Sequence, residues 1–319
     1  MDAGHKYADD ILEKIAEQIA DELNLAGRRA VEKIKKHLQK YEDRIKSKRQ
    51  DVSDEKLTEK EYYQWVVNEV TTGKDWSKVR DDVANDLTTA QENAIKGTAV
   101  LLTAVYLYNR NFMNDAIETA VRTVEKRAIS LPRIRVHKPI VPKYPKHAKN
   151  RIWHRRKLDA VIRNGMKQGH SIDKIADSIF KVTDMDIQSC YRTARTGVTA
   201  AENMARIDSF LDAEKMGLKA EKQWYATKDS RTRTTHRVID GERRRVRERF
   251  SNGLMYPADP DGDPAEVYNC RCTLLGVMND IEILSVPKSP AGIGRYEWVG
   301  QKPKSKPYPY KGKRGKYKR

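Results

Sequence analysis

Residues 224–272 read WYATKDSRTRTTHRVIDGERRRVRERFSNGLMYPADPDGDPAEVYNCRC, and how this stretch turns decides the fold of the C-terminal half. Asp240-Gly241 divides two runs rich in Thr, Val and Arg, and a two-residue Asp-Gly connection supplies the positive backbone angles of a tight hairpin. The expectation is two antiparallel strands, His236 to Ile239 and Arg243 to Phe250, the second ending at the Asn252-Gly253 turn. His236 then opens a strand. Tyr256 to Pro264 holds three Pro, three Asp and one Gly in nine residues, so it reads as a rigid loop and not as regular structure. The loop leads to Val267 and to a strand at Cys270-Arg271-Cys272, where alternation puts both sulfurs on one face and Arg271 on the other.

The order Trp224, Asp229, His236, Asp240-Gly241, Phe250, Pro257, Asp259-Pro260 and Asn269-Cys270-Arg271-Cys272 resembles the phage Mu F-like head morphogenesis family, minor head proteins of tailed bacteriophages. The resemblance runs upstream to about Arg156, through IRNGMKQGHSIDKIADSIF and CYRTARTGVTAAENMARIDSFLDAEKMG. Outside that stretch the likeness is one of general character only. It implies a structural role for the motif residues and no catalytic residue. It further implies association with the portal protein, with major capsid or scaffold protein, and with packaged double-stranded DNA, in the head interior near the portal. Assembly would take place in the host bacterial cytoplasm. An influence on DNA packaging or ejection falls within the same reading.

With 319 residues, the chain has room for one large or two ordinary domains. Its composition, 38% hydrophobic and 34% charged, is very polar but leaves enough apolar content for a core. No run approaches the roughly 18 apolar residues of a membrane helix. The opening MDAGHKYADDILEKIAEQ carries acids and does not read as a secretory signal. Three cysteines, two of them one residue apart, do not make a disulfide framework and suit a reducing compartment.

Ile11, Ile15, Ile19, Leu23, Ala26, Ala30, Ile34, Leu38, Tyr41 and Ile45 recur at steps of three and four, one side of a long helix. A charged break is expected at Lys46 to Lys56, then a helix to Val70 opened by a Thr58/Glu61 capping box. Gly73 ends it. A third helix is expected from Asp75 or Ser77 to Arg110, and a fourth from Asn111 to Ala128. Beyond Pro132, a short helix from Lys157 to Lys167, one over 172–180 capped by Ser171 and a longer one from Gln188 to Gly217 complete the helical part. Cys190 reads as a small buried hydrophobe. The fold class is therefore α+β: a long helical N-terminal region, then a small mixed domain with helices packed on a short antiparallel sheet, then a basic tail. The expected divisions are 1–131, a basic Pro-rich linker 132–157, the Mu F-like domain 158–280 and a tail 281–319.

The formal charge of +18 is concentrated in two segments. Arg133 to Lys157 holds ten Lys or Arg and no acid, and Ile281 to Arg319 holds eleven Lys or Arg against two Glu. The rest of the chain is close to neutral. Positive charge confined to Pro-, Gly- and Lys-rich segments points to phosphate contact without sequence reading, and the Tyr residues interleaved at 308, 310 and 317 could stack on exposed bases. The candidate DNA contacts are Arg133, Arg135, Lys138, Lys143, Lys146, Lys149, Arg155 and Arg156 in the first segment, and Lys311, Lys313, Arg314, Lys316, Lys318 and Arg319 in the second. A solubilising tail is the plainer alternative.

Two readings of the sulfurs stay open. Cys270, Cys272 and His236, with Asp229 or Asp240 or a water, would make a structural zinc site, although Cys-x-Cys is a less common ligand spacing than Cys-x-x-Cys. In the metal-free reading His236 hydrogen-bonds a loop carboxylate and the cysteines pack the sheet. Asp259, Asp261 and Asp263 superficially resemble a calcium loop, but the twelfth position is Cys270, where a bidentate Glu is needed. A metal-dependent nuclease built on Asp229, His236, Asp240 and the Cys270/Cys272 pair is the enzymatic alternative. Neither a Walker-type GxxxxGK[ST] nor a Gly-x-Ser-x-Gly elbow occurs. No small-molecule substrate is expected.

Overall fold

The computed structural model describes residues 2–135, 138, 140 and 149–283. Lys143, Lys146 and all the tail candidates from Lys311 to Arg319 lie outside the described residues. The elements, in chain order, are α1 (Ala3–Gln39), α2 (Glu42–Ser53), α3 (Glu59–Thr71), α4 (Lys74–Gly97), α5 (Ala99–Glu125), α6 (Arg151–Lys167), α7 (Ile172–Asp177) and α8 (Ile179–Lys215). They are followed by β1 (Ala220–Tyr225), α9 (Thr234–Val238), β2 (Arg243–Arg245), α10 (Pro264–Val267), β3 (Thr273–Met278) and β4 (Ile281–Ile283). The class is α+β, as expected. No helix among the described residues is long and apolar enough to cross a membrane.

Two compact units emerge, and neither is a single run of chain. One comprises Gln18–Ile95 and Tyr144–Cys190; the other comprises Met1–Glu17, Lys96–Lys143 and Tyr191–Arg319. These do not follow the linear divisions drawn from the sequence. Within the expected linker, Arg151 to Lys157 already forms the first turns of α6, capped by Asn150, whose side chain accepts from Trp153 N at 3.0 Å. At the other end Ile281–Ile283 is strand β4 and not tail.

The all-helical unit buries the apolar stripe of α1, including Ile19, Leu23, Ile34 and Leu38, with Val66, Val67 and Val70 of α3 and Trp76, Val83 and Leu87 of α4. The Thr58/Glu61 capping box is formed as expected. The charged segment expected to be a break is instead helix for most of its length: α2 buries no residue, so periodicity gave no sign of it. Buried His154 of α6 sits between Thr88 (2.9 Å) and Asp186 (3.0 Å), with Lys149 also near Asp186 at 3.5 Å. Cys190 is buried and its thiol is pushed up to about 12 by burial, in keeping with a packing role.

The mixed unit places α5 and the later part of α8 with a four-stranded antiparallel sheet of order β2-β1-β3-β4. Its core gathers Met113, Ile117, Val121, Phe210, Trp224, Phe250, Leu274 and Met278. Gly276 on β3 lets the Phe210 ring approach to where a Cβ would meet it at 2.7 Å. Two boundaries and one strand differ from expectation. The α4/α5 junction falls at Gly97-Thr98, not Arg110/Asn111, because Asn109, Arg110 and Asn114 are buried mid-helix with hydrogen-bond partners. α8 begins at Ile179, well before Gln188. β1, which pairs along its length with β3, had no sequence expectation.

The expected hairpin does not form. Of Asp240 and Gly241 only Gly241 has a positive φ (86°), whereas the hairpin turn needs positive angles at both central residues. Arg237 N bonds Arg233 O at 3.0 Å, so the segment holding His236 winds into the single turn α9. β2 pairs with β1, in the register Gln223 with Arg243. The Cys-x-Cys segment likewise precedes β3 and is not itself a strand.

Candidate functional site

The site is assembled on Trp224. Alternate residues of β1, namely Ala220, Lys222 and Trp224, face the core, and Trp224 uses both backbone groups to hold the next turn. Its N donates to Glu242 O at 3.0 Å and its O accepts from Gly241 N at 2.8 Å. Asp240 completes the turn by accepting from Ala226 N at 2.9 Å. The Trp224 ring meets His236 and Phe250 edge-on, with centroids 5.1 and 5.2 Å away. Three motif residues, Trp224, His236 and Phe250, thus pack as one aromatic cluster.

His236 points Nδ1 at both sulfurs, 3.7 Å from Cys270 Sγ and 3.5 Å from Cys272 Sγ. Its Nε2 lies 2.9 Å from Glu266 Oε2, in ion-pair range without a well-aligned hydrogen bond. All three residues are buried, and their potential ligand atoms lie within 4.8 Å of one another. Burial pushes the Cys270 thiol well up. Cys272 goes the other way, drawn down chiefly by the hydrogen bond from Cys270, with His236 and the Thr227 backbone N–H adding to it against burial. Arg271 points away from the sulfurs and forms a two-pronged ion pair with Asp229, one arm at 2.7 Å. Asp229 is drawn down to about 2, chiefly by that hydrogen bond. The predicted division of Cys270 and Cys272 from Arg271 therefore holds, although on an extended segment before the strand.

What holds this segment is a stripe of hydrogen-bonding side chains on α8 for which the sequence analysis has no expectation. Thr196 Oγ1 accepts from Asn269 N (3.2 Å), Thr199 Oγ1 donates to Cys270 O (2.9 Å), and Arg206 Nη1 donates to Leu274 O (2.8 Å). Between them Asn203 donates to Cys272 O (3.3 Å) and accepts from Leu274 N (2.9 Å). Asn269 takes a left-handed φ of 58°, which Asn tolerates. The signal in the sequence was a run of hydrogen-bonding side chains at helical spacing among apolar neighbours. Glu202 is buried beneath it, accepting from Thr273 Oγ1 at 2.6 Å and facing His5 at 3.0 Å.

The Pro-rich loop spends its carboxylates on backbone. Asp259 accepts from Met255 N and Asp261 N, both at 3.0 Å, and Asp263 caps α10 through Ala265 N at 2.8 Å. α10, with Pro260 and Pro264 fixing its approach, is what delivers Glu266 to His236. Glu266 has no sequence signature. Asp229, Asp240 and His236 are engaged separately, with Arg271, with Ala226 and Lys228, and with the sulfurs. Among the described DNA candidates, Arg133 pairs with Asp115 and Glu118, Lys149 with Asp186, and Arg155 with Asp81. Arg135, Lys138 and Arg156 are exposed.

Residues 156–275, the segment that holds Trp224, His236, Cys270 and Cys272, match the family described as Phage Mu protein F like protein. Among curated proteins the chain is similar to "Minor head protein GP7" of Bacillus phage SPP1, 30% identical over 137 residues, or 40% of this chain and 42% of that one. It is also similar to "Uncharacterized protein YqbB" of Bacillus subtilis (strain 168), 30% identical over 136 residues, or 40% of this chain and 43% of that one. The chain thus matches less than half the length of these relatives. No solved structure matches it significantly.

Proposed function

We propose that this chain is a minor head protein that acts in the morphogenesis of a tailed-phage head. The observation that carries the reading is the Mu F-like match over residues 156–275, with the likeness to a relative named as a minor head protein. In this reading it is a virion component whose work is binding, not turnover. Its partners are the portal protein, major capsid or scaffold protein, and packaged double-stranded DNA held through the cationic segments without sequence preference. The site geometry favours binding over the nuclease alternative, because Asp229 and Asp240 are each tied to other groups and do not converge with His236 on a shared open position. The test is to purify assembled heads and search them for this chain by mass spectrometry, and to ask whether it co-purifies with a portal ring. Presence in particles and a portal-associated fraction are expected. Heads that lack the chain overturn the reading.

A further inference from the structure

We propose that His236, Cys270 and Cys272 form a zinc site, completed by a water molecule, that pins the helical turn α9 to the segment entering β3. Zinc bonds of about 2.05 Å to nitrogen and about 2.3 Å to sulfur, at a tetrahedral angle, separate the two ligand atoms by about 3.6 Å. The two nitrogen–sulfur separations here are 3.5 and 3.7 Å. Both sulfurs converge on a single imidazole nitrogen, whose one lone pair can accept from only one thiol. A cation between the three atoms satisfies all of them.

The surroundings fit the same ion. Glu266 faces Nε2 at 2.9 Å, favouring the tautomer with its proton there and the Nδ1 lone pair on the sulfurs. That is the carboxylate–histidine–metal relay common around zinc. Two thiolates, a neutral imidazole and Zn2+ sum to zero, which removes the cost of an uncompensated charge in a fully buried position. Thr199 and Asn203 hold the Cys270 and Cys272 carbonyls from α8, so the sulfurs are set before any ion arrives. Among the described residues no fourth His, Cys, Asp or Glu joins the cluster, hence the water.

Zinc at this position is independent of the proposed role in the head. The experiment uses the full chain, purified without chelator, with metal content read by plasma mass spectrometry and Co2+ exchange followed by visible absorption. The expected result is about one zinc per chain, released when a mercurial titrates the thiols, and intense tetrahedral Co2+ bands with a sulfur-to-metal charge-transfer band. Cys272→Ser and His236→Ala should lose the metal, while Cys190→Ser should keep it. Because those two site variants also remove buried packing, the wild-type measurements stand alone as the deciding ones. Wild-type protein with less than about a tenth of an equivalent of zinc that takes up neither Zn2+ nor Co2+ overturns the proposal, as does a folded Cys272→Ser variant with undiminished zinc.

Discussion

Asp229 and Arg271 show how the motif residues divide their work. Arg271 sits between two sulfur-bearing residues, yet its side chain goes to Asp229, which also accepts from Arg231 N at 2.9 Å. The pair anchors the loop after β1 to the Cys-x-Cys segment. Asp229 titrates near 2 in the fold, against an ordinary 3.8. A depressed carboxyl contributes stability that is present above the unfolded value and lost as pH falls through the folded one. Asp229→Asn should therefore lower stability at pH 7 by about 1 kcal/mol, after allowing for solvent screening of a partly exposed pair. The difference from wild type should shrink between about pH 4 and pH 2. Thermal melts across that range check it, and a pH-independent difference would remove the ion pair as the cause. At this scale the motif was readable: Trp224, His236, Cys270 and Cys272 stood out as residue types that cluster for a reason. Glu266 did not, because an exposed-looking acid in a Pro-rich loop acquires a role only when α10 turns it onto His236.

Among the elements, the stripe Thr196, Thr199, Asn203 and Arg206 is what makes α8 more than a packing helix. Asn203 bonds the backbone on both sides of Thr273 with its side-chain amide, much as a neighbouring strand would. Asn203→Asp keeps the shape but removes the donor facing Cys272 O and Thr199 O. A buried group at this position would be left facing unpaired acceptors, and we expect a loss of about 2–4 kcal/mol. Urea unfolding of the two proteins at pH 7 measures it; a loss below about 0.5 kcal/mol would mean that the stripe does not hold the segment. Some elements were legible for simple reasons. The α3 capping box is local chemistry, and the α1 stripe is strict periodicity. α2 was missed because it buries nothing, and the hairpin was misread because Asp240 does not take the left-handed angle that the turn requires. β2, three arginines long, finds its partner in β1 instead.

At the scale of the whole molecule, the positive charge is unevenly spread along the sequence. Residues 284–319 carry eleven Lys or Arg and one Glu, while several cations of the earlier basic segment are committed to internal acids. Removing 284–319, which leaves β4 whole, should weaken DNA binding at low salt. It should also flatten the dependence of log K on log salt by roughly 0.9 for each phosphate that is no longer neutralised. Binding measured on random-sequence duplex from low to moderate salt reads this out. An unchanged slope would take the C-terminal segment out of the DNA interface.

By itself the sequence determined the α+β class, the helical stripes and caps, the family motif and the location of excess charge, all of which rest on neighbouring residues or on composition. Only the tertiary structure decided that β1 is the strand on which the turn at Gly241 closes, that α8 clamps the Cys-x-Cys segment, and that Glu266 faces His236. These are pairings between residues far apart along the chain, set by which buried polar group finds a partner, and no local spacing carries that information.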